Sequence, residues 1–272
     1  MSVLPFFDDR THGPDYEYLR GHAREYIEDM WVRFQSLCGD KPADFLNQSR
    51  LCPLERVWEM YLACFLLDHG LNLARPAARG LPDIMCTIGD RVVWVEAVLG
   101  NFGDAVRTPT EHTMRSPPLD PHRALAWLAQ LNRLPESEIT PLDATELTSE
   151  VTHLEIAPEG RIERYARWLT DKDRQRARRV NAGRIAPDDP YVVAINGHKL
   201  PHGDIQLGGR PDVVRAVLER GAIGRGISAV LFFPFLPPWV SSAMDELCHV
   251  VHNPSAAVKL EASTFSFGTQ HR

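Results

Sequence analysis

Apolar residues recur at helical spacing through residues 15–38, where Leu19, Ala23, Ile27, Trp31 and Phe34 fall on one stripe and predict an amphipathic helix. Pro42 and the polar stretch to Arg50 break that pattern. A second helix is expected from Pro53 to the stop at Asp68-His69-Gly70, since proline suits a helix start and glycine a helix end. The period then shortens. A brief apolar run, Leu71–Ala74, precedes two strand-like runs, Asp83–Ile88 and Val92–Val98, joined by a turn at Gly89-Asp90.

Residues 100–158 lose this regularity. Pro109, Pro117, Pro118, Pro121, Pro135, Pro141 and Pro158 punctuate them, with one short helix expected at Arg123–Leu131. They read as an irregular insertion or flap that cannot build a core of its own. Order returns with a basic helix at Ile162–Val180, a buried strand at Tyr191–Ile195, a helix at Pro211–Arg220 and a second buried strand at Ile227–Phe233. The glycines at 221, 224 and 226 read as turn residues, and the tail from His249 as edge strands or loops. The pattern predicts one α/β domain over residues 1–272: a mixed β-sheet flanked by helices, with an N-terminal helical extension (1–50) and the insertion (100–158).

Composition narrows the function classes. The chain has 272 residues, 44% hydrophobic and 24% charged, and its five cysteines are scattered without a C-x-x-C pair, which argues against a disulfide framework or structural zinc. With no membrane-spanning run and no signal-peptide pattern at the N-terminus, the expectation is a cytoplasmic protein with no membrane partner. Net charge is −6, which would repel a polyanion, yet residues 161–184 hold nine basic against three acidic side chains, so this segment is +6 and the remainder −12. A polyanion can be held there locally.

The candidate chemistry lies in LPDIMCTIGDRVVWVEAVL, residues 81–99. Strand alternation sets Val92, Trp94, Glu96 and Val98 on one face and Val93, Val95 and Ala97 on the other. A carboxylate inside an apolar strand is costly unless paired or coordinated. Asp83 and Glu96, on neighbouring strands of one hairpin, supply the minimal carboxylate pair for a hard divalent cation, with Glu59 one helix earlier as a third ligand. Glu55, nearer the helix start, reads as a first-turn charge. His198, His202 and Asp204 fall in a proline- and glycine-containing loop without fixed ligand geometry, and His249 and His252 have no third ligand nearby in sequence.

Glu59 in WEMYLACFLLDHG, Pro82-Asp83 at a strand start and Val95-Glu96-Ala97-Val98 in the next strand resemble the PD-(D/E)xK superfamily of restriction-endonuclease-like nucleases. KDRQRARRV before PYVVAING resembles the helix–strand unit that completes that core, and ISAVLFF and HNPSAAVKL resemble the C-terminal part of uncharacterised bacterial members. The likeness covers roughly residues 53–100 and 160–260. It implies a restriction-endonuclease-like core and a Mg²⁺- or Mn²⁺-dependent phosphodiesterase acting on nucleic acid, DNA before RNA. Metal would be held by Asp83, Glu96, the Ala97 carbonyl and Glu59.

One position departs from the pattern. Superfamily nucleases usually carry Lys two residues after the Glu, and here that residue is Val98. Some members supply the lysine from the following helix, which makes Lys172 the candidate, with Gln175 beside it and Arg174, Arg176 and Arg179 gripping the substrate backbone. Nucleases that cut both strands are often dimers, so a homodimer is compatible with the resemblance. Two other readings stay open: a non-catalytic nucleic-acid-binding module on a degenerate nuclease fold, and a phosphohydrolase of small substrates using the insertion as a lid.

Overall fold

The computed structural model describes residues 4–9, 11–38, 42–74, 76, 80–100, 110–115, 150–155, 158–197, 212–219, 224–233, 248–261 and 263–271. Its helices are α1 (Pro14–Gln35), α2 (Pro42–Leu51), α3 (Pro53–Asp68), α4 (Pro158–Asn181) and α5 (Asp212–Glu219). Its strands are β1 (Asn72–Ala74), β2 (Ile84–Ile88), β3 (Arg91–Leu99), β4 (Thr110–Arg115), β5 (Glu150–Glu155), β6 (Tyr191–Asn196), β7 (Ala229–Phe233), β8 (His249–His252) and β9 (Thr269–His271). Seven strands form one mixed sheet in the order β1-β2-β3-β6-β7-β8-β9. An α/β architecture follows, as the alternation of periods predicts.

β1, β2 and β3 run antiparallel, with Ile84 opposite Val95 and Ile88 opposite Arg91 across the Gly89-Asp90 turn. Gly89 sits at φ 59, a conformation that costs glycine little. From β3 the chain returns through α4 to β6, which lies parallel to β3 with Glu96 beside Val193. A second parallel step through α5 places β7 next to β6. Both β6 and β7 are buried along their whole length, which explains why they read as unbroken apolar runs.

The sheet has two differently built faces. Val93, Val95 and Ala97 turn towards a large core completed by α1, α2 and α3, including Trp31, Trp58, Leu62 and Phe65. Trp94, Val193, Ile195 and Val230 turn the other way, against Tyr165 and Leu169 of α4 and Val214 and Val217 of α5. The alternation read from β3 therefore sorts its side chains correctly. Among the described residues no helix is long and apolar enough to cross a membrane.

Two local expectations change. The stretch after Pro42 is not a break but helix α2. Its Phe45, Leu46 and Ser49 share a buried face at one-turn spacing, and Phe45 stacks on Trp31 with ring centroids 5.6 Å apart. Within the insertion, β4 and β5 pair antiparallel as a separate two-stranded sheet. The helix expected at Arg123–Leu131 lies outside the described residues, as do His198, His202 and Asp204.

Candidate active site

Asp83 stands just before β2, where Pro82 ends the loop from Gly80. β2 and β3 pair as far as Ile84–Val95, so the Ala97 N–H lies two residues past the last ladder partner. It donates instead to Asp83 Oδ2 at 2.8 Å. This bond answers a backbone donor that the ladder leaves over, and it fixes the carboxylate beside the β3 residue that follows Glu96.

Glu96 is 6% exposed, yet both its oxygens are occupied by donors from elsewhere in the chain. Lys172 Nζ donates to Oε1 at 2.7 Å, and Arg179 Nη1 to Oε2 at 2.8 Å. The Tyr191 hydroxyl donates to Oε2 at 3.1 Å and accepts from Arg179 Nη1 at 2.9 Å. Lys172 Nζ also reaches Gln175 Oε1 at 3.4 Å, and Arg179 Nε donates to the Gly80 carbonyl at 2.6 Å. Lys172, Gln175 and Arg179 follow a three-then-four spacing, which puts them on one face of α4 over the sheet.

The two carboxylates are driven in opposite directions. Burial and then the charge of Glu96 raise Asp83 above the ordinary carboxylate range, against the lowering effects of the Ala97 N–H, Arg56 and Lys172. Burial also opposes charge on Glu96, but Lys172 and Arg179 outweigh it and hold Glu96 below that range. Burial works against the Arg179 cation as well, and the bond to Glu96 more than restores it. Tyr191 is pushed up by burial and by the neighbouring Glu96 charge, so it stays a hydroxyl donor. Lys172 and Arg179 therefore favour the charged form of Glu96, while burial and the Glu96 charge disfavour that of Asp83.

Asp83, Glu96, Lys172, Gln175 and Arg179 are thus brought together, and three other nominated residues are not. Glu59, 1% exposed, forms a salt bridge with Arg56 one turn away on α3, on the opposite face of the sheet from Glu96. Arg56 in turn acts electrostatically on Asp83. Among the described residues no group of three or more His, Cys, Asp or Glu side chains is arranged to hold a metal ion, so the three carboxylates do not make one cluster. Arg176 is 8% exposed and spends its guanidinium on the carbonyls of Pro187 at 2.8 Å and Asp189 at 3.3 Å. It anchors the loop into β6 and is not placed to grip a substrate. Arg174 is exposed, 3.5 Å from Asp171 Oδ1.

Tyr191, Arg56 and the Gly80 carbonyl join the site without having been read from the sequence. A signal for Tyr191 existed: alternation in YVVAI, laid parallel to β3, sets Tyr191 and Val193 on the face that carries Glu96. Comparison of the chain with family models, curated proteins and solved structures finds no match.

Proposed function

We propose that this protein is a metal-dependent nuclease with a restriction-endonuclease-like core, hydrolysing DNA phosphodiester bonds. The observation that carries the reading is the 2.7 Å contact between Lys172 Nζ and Glu96 Oε1, made across 76 residues of chain. A lysine is missing at Val98, on the same strand face as Glu96, and α4 supplies one to that face. The topology of β1–β3 followed by α4 and a parallel β6 supports the same core.

Asp83 and Glu96 fit a hard cation as donors: burial first and then the Glu96 charge raise the half-buried Asp83, and an added cation would offset both. Mg²⁺ or Mn²⁺ held there would supply Lewis-acid activation of water and stabilise charge developing on phosphorus. Glu59 in this reading neutralises Arg56 and leaves the ligand set to the other two carboxylates and the Ala97 carbonyl. Lys172 faces the scissile phosphate, offsets its charge and donates a hydrogen bond to a phosphoryl oxygen, while the attacking water releases its proton to solvent and the leaving oxygen takes one up from solvent. Arg179, fixed between Glu96 and Gly80, holds the neighbouring backbone. Tyr191 keeps the Glu96 carboxylate in one orientation.

The binding-module reading draws on one observation of its own: Lys172, Arg179 and Tyr191 already satisfy Glu96 without a metal. Incubation of circular single- and double-stranded DNA with Mg²⁺ or Mn²⁺ decides between them. Wild-type protein should cut at least one of these substrates. Glu96→Gln and Lys172→Ala should each lose about 10²–10³-fold in rate, the usual scale for a positioned proton donor or charge stabiliser. An inert wild type would leave the non-catalytic module.

A further inference from the structure

Beside the Glu96–Lys172 centre lies an open pocket of about 280 Å³ lined by Gly80, Gln175, Arg178, Arg179, Ala182 and Arg184. None of these lining side chains is acidic, and three are guanidinium groups. Gly80 draws two of the arginines together. Its carbonyl accepts from Arg179 Nε at 2.6 Å, and a Cβ at this position would stand 3.0 Å from Arg184 Nη1. Gly80 also has φ +80, so glycine serves both the backbone and the close approach of Arg184.

We infer that this pocket is a phosphate site, holding a phosphate of the nucleic-acid strand next to the one positioned at Glu96 and Lys172. Guanidinium groups are the preferred partners of phosphate oxygens, because their planar forks give paired, charge-assisted hydrogen bonds. The volume lies below the range that takes a drug-sized ligand and suits a phosphate with part of its sugar. The pocket shares walls with the proposed centre. Arg179 reaches Glu96 Oε2 with Nη1 and Gly80 with Nε, while Gln175 accepts from Lys172 Nζ. Arg178 and Arg184 are both exposed and make up the outer wall, so a strand can enter without the fold opening. Identifying the polyanion as nucleic acid rests on the nuclease reading; the phosphate chemistry of the pocket does not.

The test is binding of a fluorescent 12-nucleotide single strand and its duplex, followed by anisotropy in EDTA over a range of salt. The Arg178→Gln/Arg184→Gln double variant should bind about tenfold more weakly at low salt, with the slope of log affinity against log salt smaller by about one, as losing one phosphate contact requires. Arg178→Lys/Arg184→Lys should keep the slope, and unchanged melting temperatures confirm that both variants fold. A strand with a 5′-phosphate that outbinds its 5′-hydroxyl counterpart only in wild type assigns the pocket to a terminal phosphate; equal binding assigns it to an internal one. Unaltered affinity and slope in the double variant, or no binding by wild type at any salt, overturns the inference. Cleavage with Mg²⁺ is scored separately. Cutting combined with an insensitive double variant removes only the phosphate pocket, whereas sensitive binding without cutting removes only the nuclease.

Discussion

β3 belongs to two different interiors. On the side of Val93, Val95 and Ala97 it meets α1–α3, where Trp31, Trp58, Phe34, Phe45 and Phe65 are buried and neighbouring rings interlock at 4.8–6.3 Å. On the side of Trp94, Glu96 and Val98 it meets α4, which brings Lys172, Gln175 and Arg179 over the sheet. The first face buries apolar area and needs only complementary shape. The second buries charge, which is tolerated because each oxygen of Glu96 has a cationic donor within 2.8 Å. A strand alternating between two such environments anchors Glu96 by packing its opposite face. The aromatic layer rests on apolar packing; the basic layer rests on the ion pairs of Glu96.

The strongest way to break this division is Trp58→Ala. Trp58 is 0% exposed and packs against Tyr61 at 5.9 Å and Phe233 at 5.0 Å, so the cavity left behind should cost about 3–5 kcal/mol. Chemical denaturation should show the loss. Binding of the oligonucleotide by the fraction still folded should stay within about twofold of wild type, because α3 lies across the sheet from the basic helix. Equal loss of stability and of affinity per folded molecule would show that the two faces are one coupled unit.

The same division explains what the sequence discloses. Period alone is enough for α3, β2, β3, α4 and β7, because each buries one regular face or a continuous run. The meeting of Glu96 with Lys172 is expected from the superfamily resemblance, in which the following helix can supply the lysine, and not from period. Period fails at α2, where only Phe45, Leu46 and Ser49 face inward and the polar remainder hides the helical repeat. It fails at β4 and β5, which pair Thr110 with Glu155 across a long stretch and carry no apolar alternation. Glu59 shows the limit of spacing: order along the chain sets it before Asp83, and the structure adds a salt bridge to Arg56 one turn away. Spacing cannot show which cation claims a carboxylate first.

His249 gives a smaller test, at the far edge of the charged face. Its ring lies 6.4 Å from that of Phe232, and its Nδ1 is 3.2 Å from His271 Nε2. Burial, then the second imidazole, lowers its pKa to about 4. An unfolded histidine takes up a proton near 6.5, whereas the folded one resists until about 4. Stability from this site is therefore complete above pH 6.5 and is lost as the pH falls towards 4. Thermal melts of wild type and His249→Leu should diverge in pH dependence across that window, by about 2 kcal/mol after allowing for partial solvent screening. Parallel curves would mean that His249 keeps an ordinary pKa.

The finest cut separates two arginines that look alike in the sequence. Arg176 hands its guanidinium to the Pro187 and Asp189 carbonyls, and Asp189 Oδ2 in turn accepts from Trp94 Nε1 at 2.8 Å. Arg176→Ala should therefore cost about 1.5 kcal/mol of stability, the scale of buried hydrogen bonds from a charged donor, with oligonucleotide affinity per folded molecule unchanged. Among the described residues Arg174 pairs with Asp171, and both side chains are more than half exposed, at 72% and 54%. An exposed pair of this kind adds little, so Arg174→Ala should move the melting temperature by less than about 1 °C and affinity by less than about twofold. If Arg174→Ala instead weakened binding as strongly as the Arg178/Arg184 pair of changes, the substrate path would have to run along the outer side of α4. The boundary between the charged face and solvent would then be drawn one helical turn nearer the N-terminus.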